Sequence, residues 1–354
     1  MKFASILEAR KLPTIWDGTG VWAKRRAELM ELIQREEYGF LPPKPDSISF
    51  EMVSEDTGFC AGKAILRKVV IHMVLGGEGF SFPMYATLPQ KDGAHPFFVH
   101  INFGAEVPHK FLPIEEISDN GFAVLSFCHK DVTDDANEFE SGLAGVLYGG
   151  KERNEHDCGK IAMWAWAAQR VMDYAQGLPC LDMANAAVIG HSRLGKAALL
   201  AGAMDERFAV VISNNSGCSG AALSRGKKGE RIDDICRSFP YWFCPNYQKY
   251  RNKEDTLPFD QHMLVAAVAP RTVYVSSAAE DDWADPVGEF LSAYAASGVY
   301  DFLGKQGLKD LQRMPVAGEW LHEGDVGYHL RPGKHYLGRA DWNYYMQYIK
   351  RHMK

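Results

Sequence analysis

The residues best suited to covalent chemistry lie in the run Gly190-His191-Ser192-Arg193-Leu194-Gly195, between a short apolar stretch and an Ala-rich one. A serine hydroxyl becomes an exposed nucleophile when a tight, strained strand-to-helix turn projects it from the end of a sheet. Such a turn needs small neighbours, and the helix behind it favours developing negative charge. The common spacing puts glycine two residues after the serine. Here Leu194 holds that position and Gly195 follows it, so the generic G-x-S-x-G pattern is not met. The competing reading makes Ser192 a cap for the helix that follows.

A serine near neutral pH needs a base, and imidazole is the usual one. Of twelve histidines, His335 in HLRPGKHYLG lies in a loop just before the last helical stretch, with His329 as its nearest rival. An acid is expected between serine and histidine in the chain. Glu280, Asp281, Asp282 and Asp285 cluster after the apolar run VYVSSA, with Trp283 among them. One carboxylate must orient the imidazole and stabilise its cation; at least two of the others read as solvated turn residues. Attack on an ester also builds an oxyanion, which requires preorganised donors. The amide of Arg193 and one from the loop Asn102-Phe103-Gly104-Ala105 are the expected pair.

The surrounding patterns say what positions these groups. Residues 21–37 read as an amphipathic helix that stops at YGFLPP, and 47–53, 64–75 and 82–88 as β-rich runs with a GGEG turn at 76–79. PFFVHINFG, GFAVLSF, AAVIGHS, AVVISNNSG and RTVYVSSA read as buried strands. Helical runs lie between and after them at 161–178, RLGKAALLAGAMD and 342–353. This alternation predicts an α/β architecture with a mostly parallel central sheet flanked by helices, a three-layer sandwich. With the Ser–acid–His order it is the α/β-hydrolase fold. Reactive groups in such sheets collect at the carboxyl ends of the strands. No linker divides the 354 residues, so one domain is expected, with about 1–90 as an N-terminal helical and β extension packed on the catalytic core.

The run VIGHSRLGKAALLAGAMDERFAVVISNNSGCSGAALSR closely resembles the serine segment of the glucuronoyl esterases, carbohydrate esterase family 15, marked by G-C/H-S-R-x-G-K. WAWAAQRVMDY, AEDDWADPVGEF and GYHLRPGKH are similar to bacterial members, so the resemblance spans about residues 90–350. It implies that the late G-K-H is Gly333-Lys334-His335, which selects His335 as base. Some members carry a Glu just after the strand that follows the serine helix. Asn215 stands at that position here and supplies no charge, which moves the acid to the later strand end. Glu280 is favoured there and Asp281 is the alternative. The resemblance also implies that the Arg193 side chain points at the oxyanion, that Lys196 contacts sugar hydroxyls, and that Trp283 and Glu230 line the sugar site. For Arg193 the structural alternative is a salt bridge to a neighbouring helix.

The reaction so implied is hydrolysis of an ester of a glucuronic acid carboxyl through an acyl-enzyme. The substrate would be a small or oligosaccharide uronate ester from xylan or lignin–carbohydrate material. The first rival is a carbohydrate O-acetyl esterase; a non-catalytic sugar-binding protein on the same fold is a second, and nothing favours a peptidase. Two cations beside the serine, Arg193 and Lys196, suit a hydroxyl-rich acyl group better than acetyl. A net charge of -6 gives no reason to expect nucleic acid or an anionic membrane as partner. No metal or organic cofactor is implied, since no ligand cluster or phosphate loop occurs. Seven cysteines without zinc spacing, and no apolar run of signal-peptide or membrane-span length, point to the cytoplasm, or to secretion if a leader has been removed. No feature of the sequence sets an oligomeric state.

Overall fold

A sheet covered by helices on both faces needs strands that are apolar throughout rather than alternating. FFVHIN, AVLSFC and VVISN meet that requirement, and the computed structural model, which describes residues 3–308 and 313–353, buries every residue of them. Ten strands of the described chain form one sheet: β1 (Ser47–Asp56), β2 (Ala64–Leu75), β3 (Glu78–Pro89), β4 (His95–Asn102), β5 (Ala123–Cys128), β6 (Leu181–His191), β7 (Val210–Asn214), β8 (Thr272–Ala278), β9 (Glu319–Leu321) and β10 (Val326–Arg331). Their order is β1-β2-β3-β5-β4-β6-β7-β8-β10-β9. The six strands from β5 to β10 are mutually parallel, while β1, β2 and β3 continue the sheet antiparallel on one side and β9 on the other. Residues about 1–90 thus supply three strands of the same sheet.

Successive side chains of each central strand serve opposite faces. Phe97, Val99, Ile101, Val188, Val211, Val273 and Val275 enter the larger apolar core. Phe98, Ile189, Ile212 and Tyr274 enter the smaller one on the opposite face. The helices that matter for the site are α1 (Trp22–Ile33), α2 (Lys160–Ala175), α3 (Arg193–Met204), α4 (Pro286–Phe302) and α5 (Arg339–His352). α1 to α4 contribute to the larger core and α5, through Trp342, Tyr345 and Met346, to the smaller. α2 is buried almost all round, which accounts for the dense run WAWAAQRVM.

Two expectations change in detail. The helix expected over 21–37 is α-helical only to Ile33; Gln34–Tyr38 widen into a π-turn that ends at Gly39. The stretch HLRPGKHYLG, read as loop, begins inside β10, because His329 and Arg331 are buried by pairing with Asp341 rather than by being apolar.

Candidate active site

Ser192 closes β6 and precedes the first residue of α3 with φ 59° and ψ −129°. A non-glycine residue held there stores strain of about 1–3 kcal/mol, so the surroundings must fix it. They do so from both sides. Ser192 N–H donates to the Asn214 carbonyl of β7 at 2.9 Å. A Cβ at Gly190 would lie 2.0 Å from the Leu194 carbonyl oxygen, and one at Gly195 3.0 Å from that of Asn214. The second small residue of the turn is therefore Gly195, while Leu194 turns into the core, fully buried. This is why glycine three residues after the serine serves where the usual spacing is two. The Ser192 side chain makes no capping hydrogen bond to α3, against the helix-cap reading.

His335 stands on the loop after β10, with Nδ1 2.6 Å from Asp281 Oδ2. Its side chain is 42% exposed and that of Asp281 5%, an accessible imidazole backed by a buried carboxylate. Asn215 donates its side-chain amide to the same Asp281 oxygen at 2.9 Å. Burial opposes the charge on Asp281, but the bonds from His335 and Asn215 outweigh it and hold its carboxyl below the ordinary range. With Nδ1 engaged, Nε2 is the nitrogen left for proton transfer.

Of the two carboxylates weighed from the sequence, Asp281, not the favoured Glu280, is the one in contact with His335. Glu280 is exposed and accepts from the Gly333 amide at 3.1 Å, while its own amide donates to the Gly333 carbonyl. It braces the histidine loop and does not reach the imidazole. Asp282 is exposed, and Asp285 caps α4 through Gly288. The rival His329 is fully buried in β10, bonded to Asp341 at 2.9 Å and Tyr274 at 3.0 Å. His191 packs its ring 4.5 Å from that of His335. Burial, reinforced by repulsion from His335, pushes the His191 pKa down to about 3, so it stays neutral beside the His335 imidazole.

Arg193 opens α3, and its guanidinium is fixed rather than free. Nη1 lies 2.5 Å from Asp135 Oδ2, and the group sits 4.6 Å above the Trp242 ring and 5.3 Å from Phe239. The structural alternative for Arg193, a salt bridge to a neighbouring helix, is replaced by an ion pair to the loop after β5. Trp242 Nε1 donates to the other Asp135 oxygen at 2.8 Å, and His129 approaches at 3.6 Å. Burial resists ionisation of Asp135, but His129, Arg193 and Trp242 hold its carboxyl well below the usual range. Asp135 was not singled out from the sequence; the only signal is a pair of acids, Asp134-Asp135, shortly after a strand's carboxyl end. In the loop after β4, the Phe103 amide is taken by Asn102 Oδ1 at 2.8 Å.

Lys196 lies one turn into α3, 3% exposed, with Nζ donating to the carbonyls of Ser216 at 2.5 Å and Cys218 at 2.6 Å. Burial lowers its pKa, and the charge of Glu230 opposes that shift. Two of its three N–H groups are used by the backbone, so the contact expected with several hydroxyls reduces to one donor. Gly229 (φ 68°) fits against the turn after β8, where a Cβ would meet the Asp282 carbonyl at 2.3 Å. Glu230 N–H then donates to the Trp283 carbonyl at 3.0 Å, which sets Glu230 beside Trp283, itself 58% exposed. Ser192, Arg193, Asp281, His335, Lys196, Glu230 and Trp283 therefore come together at the carboxyl ends of β6, β8 and β10, the place where such sheets bind ligands.

Comparison with known proteins gives the family. The family model described as "Glucuronyl esterase, fungi" matches residues 71–304. The carbohydrate esterase MZ0003 of an unknown prokaryotic organism is 45% identical over 95% of this chain and 88% of its own length. A 4-O-methyl-glucuronoyl methylesterase of Podospora anserina is 30% identical over 78% of this chain, which spans only 55% of that longer protein. The solved glucuronoyl esterase of Solibacter usitatus superposes with a TM-score of 0.88 at 32% identity, covering 97% of this chain and 98% of the other.

Proposed function

The chain belongs to the glucuronoyl esterase family of serine ester hydrolases, and from that premise we propose that Ser192, His335 and Asp281 hydrolyse an ester of a glucuronic acid carboxyl. Ser192 Oγ attacks the uronoyl carbonyl carbon while its proton passes to His335 Nε2. Asp281 stabilises the imidazolium and keeps the ring's tautomer and direction. The carbonyl electrons move onto oxygen, facing the Arg193 amide at the start of α3, the amides of Gly104 and Ala105, and the edge of the Arg193 guanidinium. The C–O bond to the alcohol then breaks and the leaving oxygen takes the proton from His335. Water adds to the acyl-enzyme by the same steps in reverse, releasing the uronic acid and Ser192.

Lys196, Glu230 and Trp283 are the groups for the sugar ring: one ammonium N–H, a carboxylate acceptor, and an exposed aromatic face with an indole donor. The observation that carries this reading is the strained Ser192 turn beside a buried carboxylate bonded to an exposed imidazole. Five of the seven free cysteines are buried, which favours a reducing compartment. We therefore place the enzyme in the cytoplasm, acting on soluble small or oligosaccharide uronate esters. Fractionation of the source cells is expected to recover it there; recovery from the medium would contradict that placement. The activity itself is tested with methyl and benzyl glucuronate beside 4-nitrophenyl acetate. Glucuronate esters are expected to turn over with the higher kcat/KM, and acetate turnover alone would contradict the uronate reading.

A further inference from the structure

We propose that Arg331 is a positioning residue for the general base: its guanidinium, anchored on Asp341, fixes the loop that carries His335. The proposal rests on His335 being that base. β10 ends at Arg331, and the chain turns through 332–338 into α5. Pro332, Lys334, His335 and Tyr336 are all exposed and Leu337 alone is buried in the smaller core, so the residues around His335 have little apolar burial to hold them. The Arg331 guanidinium replaces that burial. Nη1 donates to the Pro332 carbonyl at 2.9 Å, and Nη2 to those of Lys334 at 2.7 Å and Tyr336 at 2.5 Å. The carbonyls on either side of His335 thus converge on one nitrogen.

Arg331 is 8% exposed and Asp341 fully buried. A buried ion pair is favourable only when its remaining donors and acceptors are met. Here Nε faces both Asp341 oxygens at 3.1 Å while the loop carbonyls take the rest of the fork. Asp341 in turn accepts from the Gly338 amide at 2.7 Å and contacts His329 at 2.9 Å. Asn214 donates to Asp341 at 3.4 Å, and its Oδ1 lies 2.6 Å from His191 Nδ1. The His191 ring then packs on that of His335, so the circuit returns to the base from behind. The planar guanidinium fork is what allows one side chain to reach a carboxylate and three carbonyls; an ammonium has neither the reach nor the number of donors.

The test compares Arg331→Met and Arg331→Lys with wild type, Ser192→Ala and Ile71→Ala, the last a destabilised control in β2 far from the site. Arg331→Lys retains the charge that Asp341 requires and so keeps the fold available should Arg331→Met fail to fold. Kinetics on a glucuronate ester are read together with the downfield proton resonance of the imidazole N–H bonded to Asp281. The expected result is a kcat about 10- to 100-fold lower in Arg331→Met, with KM within about 2-fold of wild type. Arg331→Lys should recover part of that loss. The downfield resonance should broaden or vanish in both, yet persist in Ser192→Ala and Ile71→Ala. Wild-type kcat in a folded Arg331 variant, or a loss that merely follows melting temperature as in Ile71→Ala, would overturn the proposal. Activity surviving in Ser192→Ala would instead overturn the esterase mechanism beneath it, so the two failures are distinguishable.

Discussion

At the scale of single residues, the proposed mechanism turns on the offset between Glu280 and Asp281. Both follow the same strand, and adjacent residues at a turn face different directions, so composition alone could not choose between them. What chooses is the surroundings: Asn215 meets Asp281 and Gly333 meets Glu280. Asp281→Asn keeps the shape but presents a neutral group that favours the wrong imidazole tautomer. Its kcat on glucuronate esters is expected to fall by roughly a thousandfold or more. Glu280→Gln should stay within about threefold, since its role is a bond to a backbone amide. Equal losses in the two variants would contradict the assignment. Ser192, His335 and Arg193 were legible because each sits in a motif. Asp135 was not, because its role is defined by Arg193 and Trp242, 58 and 107 residues away in the chain.

At the scale of elements, α4 packs beneath the site and brings in a carboxyl with no cation in direct contact among the described residues. Glu289 is fully buried and accepts from the Gly217 amide at 2.9 Å and the Ser277 hydroxyl at 2.6 Å. Burial pushes its pKa up to about 7 from 4.5. The native chain then keeps a proton that the unfolded chain releases above about pH 4.5, so stability falls as pH rises from there to about 7. At 1.36 kcal/mol per unit the loss is about 3 kcal/mol. Burial also pushes Glu37 up to about 7, which contributes a similar slope. Glu289→Gln is therefore expected to remove about half of the decline in melting temperature over that window; an unchanged profile would contradict it. The strands β4 to β8 were readable from sequence because burial on both faces leaves continuous apolar runs. β10 was not, because VGYHLR buries a histidine and an arginine by pairing them with an aspartate on α5, a device hydrophobic patterning does not record.

At the scale of the whole molecule, the sheet is the device that makes a site from distant segments. Ser192, Asp281 and His335 are far apart in the chain, and parallel strands deliver all three to one edge. β1 to β3 extend the same sheet, so the segment 47–89 shares its hydrogen-bond ladder with the central strands. The central claim is that this edge is a serine esterase site for glucuronate esters, with Ser192 as nucleophile. It is tested most directly by benzyl glucuronate hydrolysis in wild type and Ser192→Ala, each checked for folding by its melting temperature. The account predicts robust wild-type turnover that falls at least about a thousandfold in a folded Ser192→Ala. Turnover that survives the substitution would contradict it.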